Sequence, residues 1–315
     1  MAKGEHPQMK RILLFLTLAL TVMTAVAQEF GIHWIACPAA DSTMQAWFRQ
    51  TYITPQRPLR ATVTVASAGN FELYVNRWNV STDVLAPFRE RGDRRVKAVT
   101  YDVSRYLRPD SNVIAVWYSP ATTQPNRKQI SVTYSGTMPN GTPFSHVSDP
   151  EWLCRPANRT ITPDGGECVD GRAHNPLWNA TEIETAGWVP ALAVKEGRAE
   201  GYGVSASFYP AMRVARVHKP AYFDVCGDSV FYEFRNGFQG WIRITLRNAQ
   251  RGEHIYINGL EYICNGNLDE QACRKFTITT CRRVLIYGDA SFDRSQLYNV
   301  EGIEIAPSFH SSYQY

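Results

Sequence analysis

A tryptophan in a polar turn is the residue of this sequence best suited to binding chemistry. Trp78 lies in the sequence Asn-Arg-Trp-Asn at 76–79, between two β-rich runs, where a turn is expected to be exposed. Flat aromatic rings stack on the apolar C–H faces of sugar rings, while polar neighbours hydrogen-bond the hydroxyls. Arg89 and Arg94 follow in a polar loop, and Tyr118 ends a strand that leads into another loop. These four side chains are the predicted carbohydrate-binding residues.

Aromatic residues in this sequence can also have a purely structural role. Trp117 and Trp241 are interpreted as core or inter-domain residues, because they fall within β-rich runs. A turn tryptophan such as Trp78 packs back over a sheet in many proteins. The exposed fraction of each side chain therefore distinguishes a ligand-binding ring from one that packs within the protein.

Signatures of catalysis and metal binding are missing from the sequence. There is no His-Glu-x-x-His motif, no two histidines at ligand spacing, no Walker loop and no dinucleotide fingerprint. The run at 203–207 falls short of Gly-x-Ser-x-Gly because its last residue is Ser207. Asp269 and Glu270 are interpreted as a solvated loop, since glycoside hydrolysis needs carboxylates about 5 to 9.5 Å apart across a cleft. No catalytic residue, metal ligand or cofactor is predicted, and calcium binding is left open.

Seven cysteines allow two short disulfides. Cys154 and Cys168 bracket one polar loop, and Cys264 and Cys273 bracket another, so either pair is a candidate disulfide in an oxidising compartment. The alternative is that several of them are buried free thiols. The odd count leaves at least one thiol unpaired, and the absence of Cys-x-x-Cys argues against a zinc ribbon or a thioredoxin-type site.

Alternating hydrophobic and polar residues predict strands. In the run 241–247, Ile242, Ile244 and Leu246 share one face of a half-buried strand. Asn-Gly pairs at 140, 236, 258 and 265 predict turns, and a single capped turn is expected over 102–107. No window shows the 3.6-residue period of a helix, so the prediction is an all-β fold with two β-sandwich domains. Further strands are predicted at 61–65, 71–75, 113–118, 130–134, 230–234, 254–257, 275–279, 284–287 and 303–305.

The first 27 residues are predicted to be a secretory signal peptide. Lys10 and Arg11 precede an apolar run over 12–26, which ends in the small-x-small sequence at 25–27. The run is short for a bilayer span of about 20 residues, although a retained anchor is the alternative. A secreted or periplasmic protein without a membrane span in its mature form is expected.

Net charge and local composition indicate the class of binding partner and the domain boundaries. The net charge is only +4, with no concentrated basic stripe, so nucleic acid is not an expected partner. We expect one β-sandwich over 28–208 and a second over 209–315, with 209–220 as the connector. The segment 139–200 is rich in Pro, Gly, Asn and Asp, and is expected to hold the far edge of the first sandwich and long loops.

Several motifs occur in the order known from one family. They are Phe71–Asn76, Val80, Val84–Pro87, Tyr101–Val103, Leu107–Pro109 and Asn112–Ile114. This series resembles the N-terminal β-sandwich of bacterial α-L-rhamnosidases. The runs 212–214 and 219–220 resemble its connector, and 234–241 resembles the motif that opens the family's second sandwich. The resemblance covers roughly residues 43 to 305, and implies a jelly-roll or galactose-binding-like domain followed by a concanavalin-like one.

The chain also departs from the family pattern. Arg77 and Arg235 stand where the family has glycine, and its ending motif is reduced over 296–305. In the family, catalysis belongs to an (α/α)6 barrel that follows the sandwiches, whereas about ten residues follow Ile305 here. The resemblance therefore assigns a catalytic role to no residue of this sequence.

Two functions from different classes follow from these observations. The first is a secreted, non-catalytic carbohydrate-binding or accessory protein that acts on rhamnose-containing polysaccharide, with a separate glycoside hydrolase as a candidate partner. The second is a glycoside hydrolase of the α-L-rhamnosidase type, or one part of a split enzyme. A structural relic without a ligand is the third interpretation.

Overall fold

Strands and tight turns make up the part of the chain that the structure describes. In the computed structural model these residues are 33–88, 96–121, 129–184, 186–194, 205–206 and 210–308. Within these ranges lie 22 strands and three short 3-10 turns, at 104–106, 171–173 and 294–296, and no α-helix. The predicted all-β sandwich fold is confirmed. The predicted signal peptide, Arg89 and Arg94 lie outside the described residues.

The strands fall into two groups along the chain, here named the first and second modules. The first module contains β1 (Trp34–Ala36), β2 (Met44–Thr54), β3 (Arg60–Ser67), β4 (Asn70–Val75), β5 (Trp78–Asn79), β6 (Lys97–Asp102), β7 (Asp110–Ser119), β8 (Ile130–Thr137), β9 (Pro143–Val147), β10 (Leu153–Ile161), β11 (Glu167–Asp170), β12 (Val189–Pro190), β13 (Leu192–Val194) and β14 (Ser205–Ala206). The second contains β15 (Met212–His218), β16 (Tyr222–Cys226), β17 (Ser229–Arg247), β18 (His254–Ile257), β19 (Leu260–Ile263), β20 (Asp269–Cys273), β21 (Thr279–Gly288) and β22 (Leu297–Pro307). No helix among the described residues has the length and apolarity needed to cross a bilayer.

The first module is a sandwich of two sheets. One sheet has the order β13-β1-β8-β3-β6-β14, with β9 on β8, and it faces the strands β10-β2-β7-β4-β5. The alternation in β3 explains this packing, because Ala61, Val63 and Val65 are buried while the residues between them are more exposed. Inward side chains from both sheets, among them Val63 of β3 and Leu73 of β4, form one core.

The second module is organised around the 19-residue strand β17. Its first half pairs with β16 and β21, and its second half pairs with β22 and β20. Ile242, Ile244 and Leu246 point into the module's core as predicted. The Asn-Gly pair at 236–237 is not a turn but lies within β17, where the register to β21 shifts between Glu233 and Phe238.

One sheet continues from the first module into the second. β11 pairs in parallel with β19, which joins the two modules in a sheet of 15 strands. The predicted connector over 209–220 is instead the strand β15, which pairs along β22 at the end of that sheet. The segment expected to hold long loops, 139–200, contains five strands, β9 to β13. The domain boundary near residue 208 stays a prediction.

Candidate functional site

Trp78 lies at the surface, in a two-residue hairpin turn. Val75 pairs with Trp78, and the turn residues Asn76 and Arg77 have φ angles of 48° and 75°. Two consecutive left-handed residues are typical of the type I′ turn, which matches the twist of the flanking strands. The Trp78 side chain is 62% exposed, so it does not pack back over the sheet.

The buried side chain of Asn76 fixes this hairpin to the neighbouring 3-10 turn at 104–106. Its Nδ2 donates to the Tyr106 carbonyl at 2.9 Å and to Asn112 Oδ1 at 2.8 Å. Its Oδ1 accepts from the Val113 amide at 2.9 Å. Three hydrogen bonds in a site that is 3% exposed hold the hairpin that carries Trp78 in one orientation.

The 3-10 turn and the stretch that follows the hairpin line a cavity of about 390 Å³. Val80 and Thr82 come from the stretch that follows Trp78. The other lining residues are Tyr101, Asp102, Ser104, Arg105 and Tyr106.

The polar side chains of this cavity are suited to hydroxyl-rich ligands. Asp102 Oδ1 accepts from the Ser104 amide at 2.9 Å, and bonds from the side chain and backbone of Ser104 lower the pKa of Asp102. The carboxylate is therefore an ionised acceptor at neutral pH. The Arg105 guanidinium carbon lies 4.6 Å from the ring centroid of Tyr106, which places a donor beside an aromatic ring. We name Trp78 and this cavity the turn site.

Tyr118, the other aromatic residue predicted to bind sugar, has a different position. Its side chain is 2% exposed and belongs to the core of the first module, so it cannot stack on a ligand in solution. The prediction for Tyr118 is therefore wrong, because its side chain faces inward from β7. Sequence reasoning missed Tyr101, Arg105 and Tyr106, although the capped turn predicted over 102–107 marks their location.

Four buried tryptophans cover the outer face of the β10-β2-β7-β4 sheet. Trp47 stacks on Trp178 with ring centroids 5.5 Å apart, and Trp117 meets both rings edge-on. Trp188 and Phe276 complete this cluster. The interpretation of Trp117 as a core residue is confirmed. We name this group the tryptophan cluster.

Trp241 has the inter-module role predicted for it. It is 9% exposed and belongs to a cluster with Met212, against which Val84 and Leu85 of the first module pack. Its indole Nε1 donates to the Thr277 carbonyl at 2.6 Å, which satisfies its polar atom.

A buried carboxylate positions the loop that completes the tryptophan cluster. Glu167 is fully buried, and its Oε1 accepts from the amides of residues 275, 276 and 277 at 2.8 to 2.9 Å and from Thr277 Oγ1 at 3.0 Å. Its Oε2 pairs with Arg159 at 3.1 Å. The strand predicted over 275–279 is therefore wrong, because Glu167 takes three of the amides that a strand ladder needs.

A larger groove of about 1,030 Å³ lies in the second module. Phe223, Tyr232 and Tyr298 are among the residues that line it, and Phe223 and Tyr298 are each 62% exposed. The Arg247 guanidinium lies 3.8 Å from the Tyr298 ring centroid and pairs with Asp269 at 2.8 Å. This groove is a second aromatic surface.

The adjacent carboxylates Asp269 and Glu270 lie on β20 and not in the predicted loop. Neighbouring strand residues point to opposite faces of a sheet, so these two cannot flank one substrate bond. Glu270 is buried and accepts from the Tyr262 hydroxyl at 2.9 Å and from two backbone amides. Within the described ranges, no group of three or more His, Cys, Asp and Glu residues is arranged to hold a metal ion.

All seven cysteines are free thiols in this structure, so neither candidate disulfide is formed in it. Cys168 pairs with Thr160, six residues along β10 from Cys154, so their Cα atoms are about 20 Å apart along the strand. A disulfide needs a separation of about 4.4 to 6.8 Å. Cys264 is buried in the second core, while Cys273 ends β20.

The fold and its motifs match one family model, described as the α-L-rhamnosidase N-terminal domain, over residues 56–215. Two curated α-L-rhamnosidases are similar in sequence. One, from Streptomyces avermitilis, is 26% identical over 179 residues, which is 52% of this chain and 17% of that protein. The other, from Formosa agariphila, is 21% identical over 300 residues, which is 79% of this chain and 30% of that protein.

Solved structures show the same fold. The α-L-rhamnosidase of Dictyoglumus thermophilum aligns with a TM-score of 0.77 at 21% identity, over 88% of this chain and 36% of that one. The Streptomyces avermitilis α-L-rhamnosidase, solved with L-rhamnose, aligns with a TM-score of 0.73 at 17% identity. The alignment covers 84% of this chain and 29% of that one.

These matches define the chain as a β-sandwich protein related to the N-terminal modules of α-L-rhamnosidases. It belongs to the α-L-rhamnosidase N-terminal domain family, because the family model matches half of its length. The chain spans 17% to 36% of the length of the matched proteins in these four comparisons.

Proposed function

We propose that this protein binds carbohydrate at the turn site and acts as a secreted, non-catalytic accessory module. The observation that carries the proposal is the 62% exposure of Trp78, whose hairpin is hydrogen-bonded through Asn76 to the 3-10 turn that lines a cavity with ionised and aromatic side chains. An exposed indole on a rigidly held hairpin is a stacking platform whose backbone loses little entropy on binding. The predicted signal peptide supports a secreted or periplasmic location.

The substrate class that we propose is rhamnose-containing polysaccharide. The support comes from the relatives, which are α-L-rhamnosidases, and from one solved with L-rhamnose. A 6-deoxy sugar presents a methyl group and C–H faces to an aromatic ring, and its hydroxyls suit the Asp102 carboxylate and the Arg105 guanidinium.

Calorimetry with a rhamnose-rich oligosaccharide tests the site. Trp78→Ala is expected to weaken binding at least tenfold, a loss of about 1.4 kcal/mol, because the stacking platform is removed. Tyr298→Ala is the matched control, since that ring has the same exposed fraction but lies in the second module's groove. Equal affinity of Trp78→Ala and wild type would contradict the turn site, and a loss confined to Tyr298→Ala would assign binding to the groove.

A second candidate function is one part of an α-L-rhamnosidase. It is favoured by the coverage of the relatives, in which most of the length lies beyond the matched region. This function predicts release of p-nitrophenol from an aryl α-L-rhamnoside, by the protein alone or with a separate glycoside hydrolase. Retention on a rhamnose-rich gel without turnover in either assay would favour the binding module.

A further inference from the structure

Two buried thiols meet in the core of the first module. Cys37 follows β1 and is 3% exposed, and Cys154 lies on β10 and is fully buried. The Cys37 and Cys154 side chains are hydrogen-bonded to each other. Sequence spacing alone does not pair them, because roughly 120 residues separate them along the chain.

The strand register independently places the two residues at the same crossing between the sheets. Val189 of β12 pairs with Cys154, and Leu192 of β13 pairs with Ala36, the residue before Cys37. The chain therefore crosses from one sheet of the sandwich to the other between Val189 and Leu192, a path of about 10 Å at most. Cys154 borders one end of this crossing and Cys37 the other, so they approach each other from opposite sheets.

The surroundings are those of a structural disulfide rather than of a metal or catalytic site. Both side chains belong to one apolar cluster that also contains Ala191. No metal-binding group of three or more ligands occurs within the described ranges. A buried bond between the two sheets of a sandwich is a known stabilising arrangement in immunoglobulin domains.

We propose that Cys37 and Cys154 form a disulfide that links the two sheets of the first module. The two side chains are already hydrogen-bonded to each other, and oxidation would join their sulfur atoms at a bond length of about 2.05 Å. The bond would close a loop of more than a hundred residues, for which the loss of unfolded-state entropy is large.

Formation of the bond needs a disulfide oxidant such as oxidised glutathione, which accepts two electrons from the two thiols. One cysteine thiolate attacks the glutathione disulfide and releases one glutathione thiolate, which leaves a mixed disulfide on the protein. The second cysteine thiolate then attacks the protein sulfur and releases the second glutathione. Two thiol protons are lost and two electrons pass to the oxidant, which becomes two molecules of reduced glutathione. Because both thiols are buried, oxidation must precede closure of the core.

Refolding of the reduced, denatured full chain in a glutathione buffer tests the proposal. Free thiols are then alkylated, and the peptides are mapped without reduction. The expected result is one linked peptide pair, carrying Cys37 and Cys154, with the other five cysteines alkylated. The oxidised protein is expected to unfold at least about 5 °C above the reduced protein. Alkylation of both Cys37 and Cys154, or a linkage such as Cys154 to Cys168, would overturn the proposal.

Two variants separate this bond from general redox effects. Cys37→Ala is expected to abolish the difference in unfolding temperature between oxidised and reduced protein. Cys264→Ala removes a buried thiol of the second core and is expected to retain that difference. A temperature difference that persists in Cys37→Ala would contradict the assignment, and the wild-type peptide map decides the pairing even where a variant does not fold.

Discussion

The outer sheet faces of the two modules differ in how their side chains are kept from unfavourable contact with water. In the first module, Trp47 and Trp117 project outward from β2 and β7 and are covered by Trp178 and Phe276 from distant segments. In the second module, charged residues lie on the outward face of β17 and β22, where Arg243 pairs with Glu301 at 2.5 Å. An aromatic outer face is stable only when residues from other segments bury it, whereas charged side chains on an outer face form ion pairs with each other and remain near solvent.

This difference makes the first module depend on the second. The loop that carries Phe276 lies between β20 and β21, and Glu167 of β11 holds it in place. Lys275 of the same loop pairs with Glu72 of β4 at 2.7 Å, and its ammonium lies 4.6 Å from the Trp117 ring centroid. We therefore expect changes in the cover of the tryptophan cluster to destabilise both modules, and changes on the charged face to act locally.

The largest effect is expected from Trp178→Ala. The side chain is 4% exposed and stacks on Trp47, so its removal leaves a cavity under the loop that covers the face. We expect the free energy of unfolding to fall by about 3 to 5 kcal/mol, measured by urea denaturation. The exposed Leu177→Ala, one residue earlier, is the control and should cost less than about 0.5 kcal/mol. Similar losses in the two variants would contradict the role of the cover.

Glu167→Gln tests the attachment of the loop. The amide keeps the shape of the carboxylate but loses its charge and presents two hydrogens, so some of the donors at 275–277 and at Arg159 lose a partner. We expect a loss of about 2 to 3 kcal/mol in the free energy of unfolding. Glu261→Gln, whose carboxylate is partly exposed and pairs with His254, is the control with an expected loss below about 1 kcal/mol. A loss for Glu167→Gln no larger than that for Glu261→Gln would contradict the role of Glu167 in holding the loop at 275–277.

Local patterns predicted the strands well, because alternation is decided by neighbouring residues. Ile242, Ile244 and Leu246 face the core as their spacing indicates. The loop at 275–277 was not predictable, since the carboxylate that binds its amides is more than a hundred residues away. The β-rich composition of that loop favours a strand, and only the tertiary contact to Glu167 overrides it.

The candidate site was predictable in part for the same reason. The exposed position of Trp78 follows from a turn whose residues are adjacent in sequence. For Tyr118, alternation requires that it and Trp117 face opposite sides of β7, but does not say which side is the core. Both sides are buried here, because the outer face has a cover that comes from residues 178 and 276.

The charged face of the second module predicts a pH dependence. Hydrogen bonds from Arg243 and Lys219 lower the pKa of Glu301 to about 2. A carboxyl whose pKa is lower in the folded state stabilises fully above its unfolded value of about 4.3, and this contribution is lost as the pH falls from there toward 2. We expect Glu301→Gln to flatten the dependence of the unfolding free energy on pH in that range, by about 1 kcal/mol. The exposed Glu182→Gln serves as control, and an unchanged slope in Glu301→Gln would contradict the local role of this ion pair.

The smallest effect on stability is expected from Trp78→Ala, and it sharpens the contrast with the tryptophan cluster. An indole that is 62% exposed buries little surface, and the hairpin is held by Asn76 rather than by the ring. We expect the free energy of unfolding to change by less than about 0.5 kcal/mol, well below the loss of about 3 to 5 kcal/mol for Trp178→Ala. A loss above about 2 kcal/mol in urea denaturation would mean that the ring packs against the module, and the binding defect of Trp78→Ala would then be an effect of folding. A small loss combined with weaker binding separates the one tryptophan available to a ligand from those that hold the sheets together.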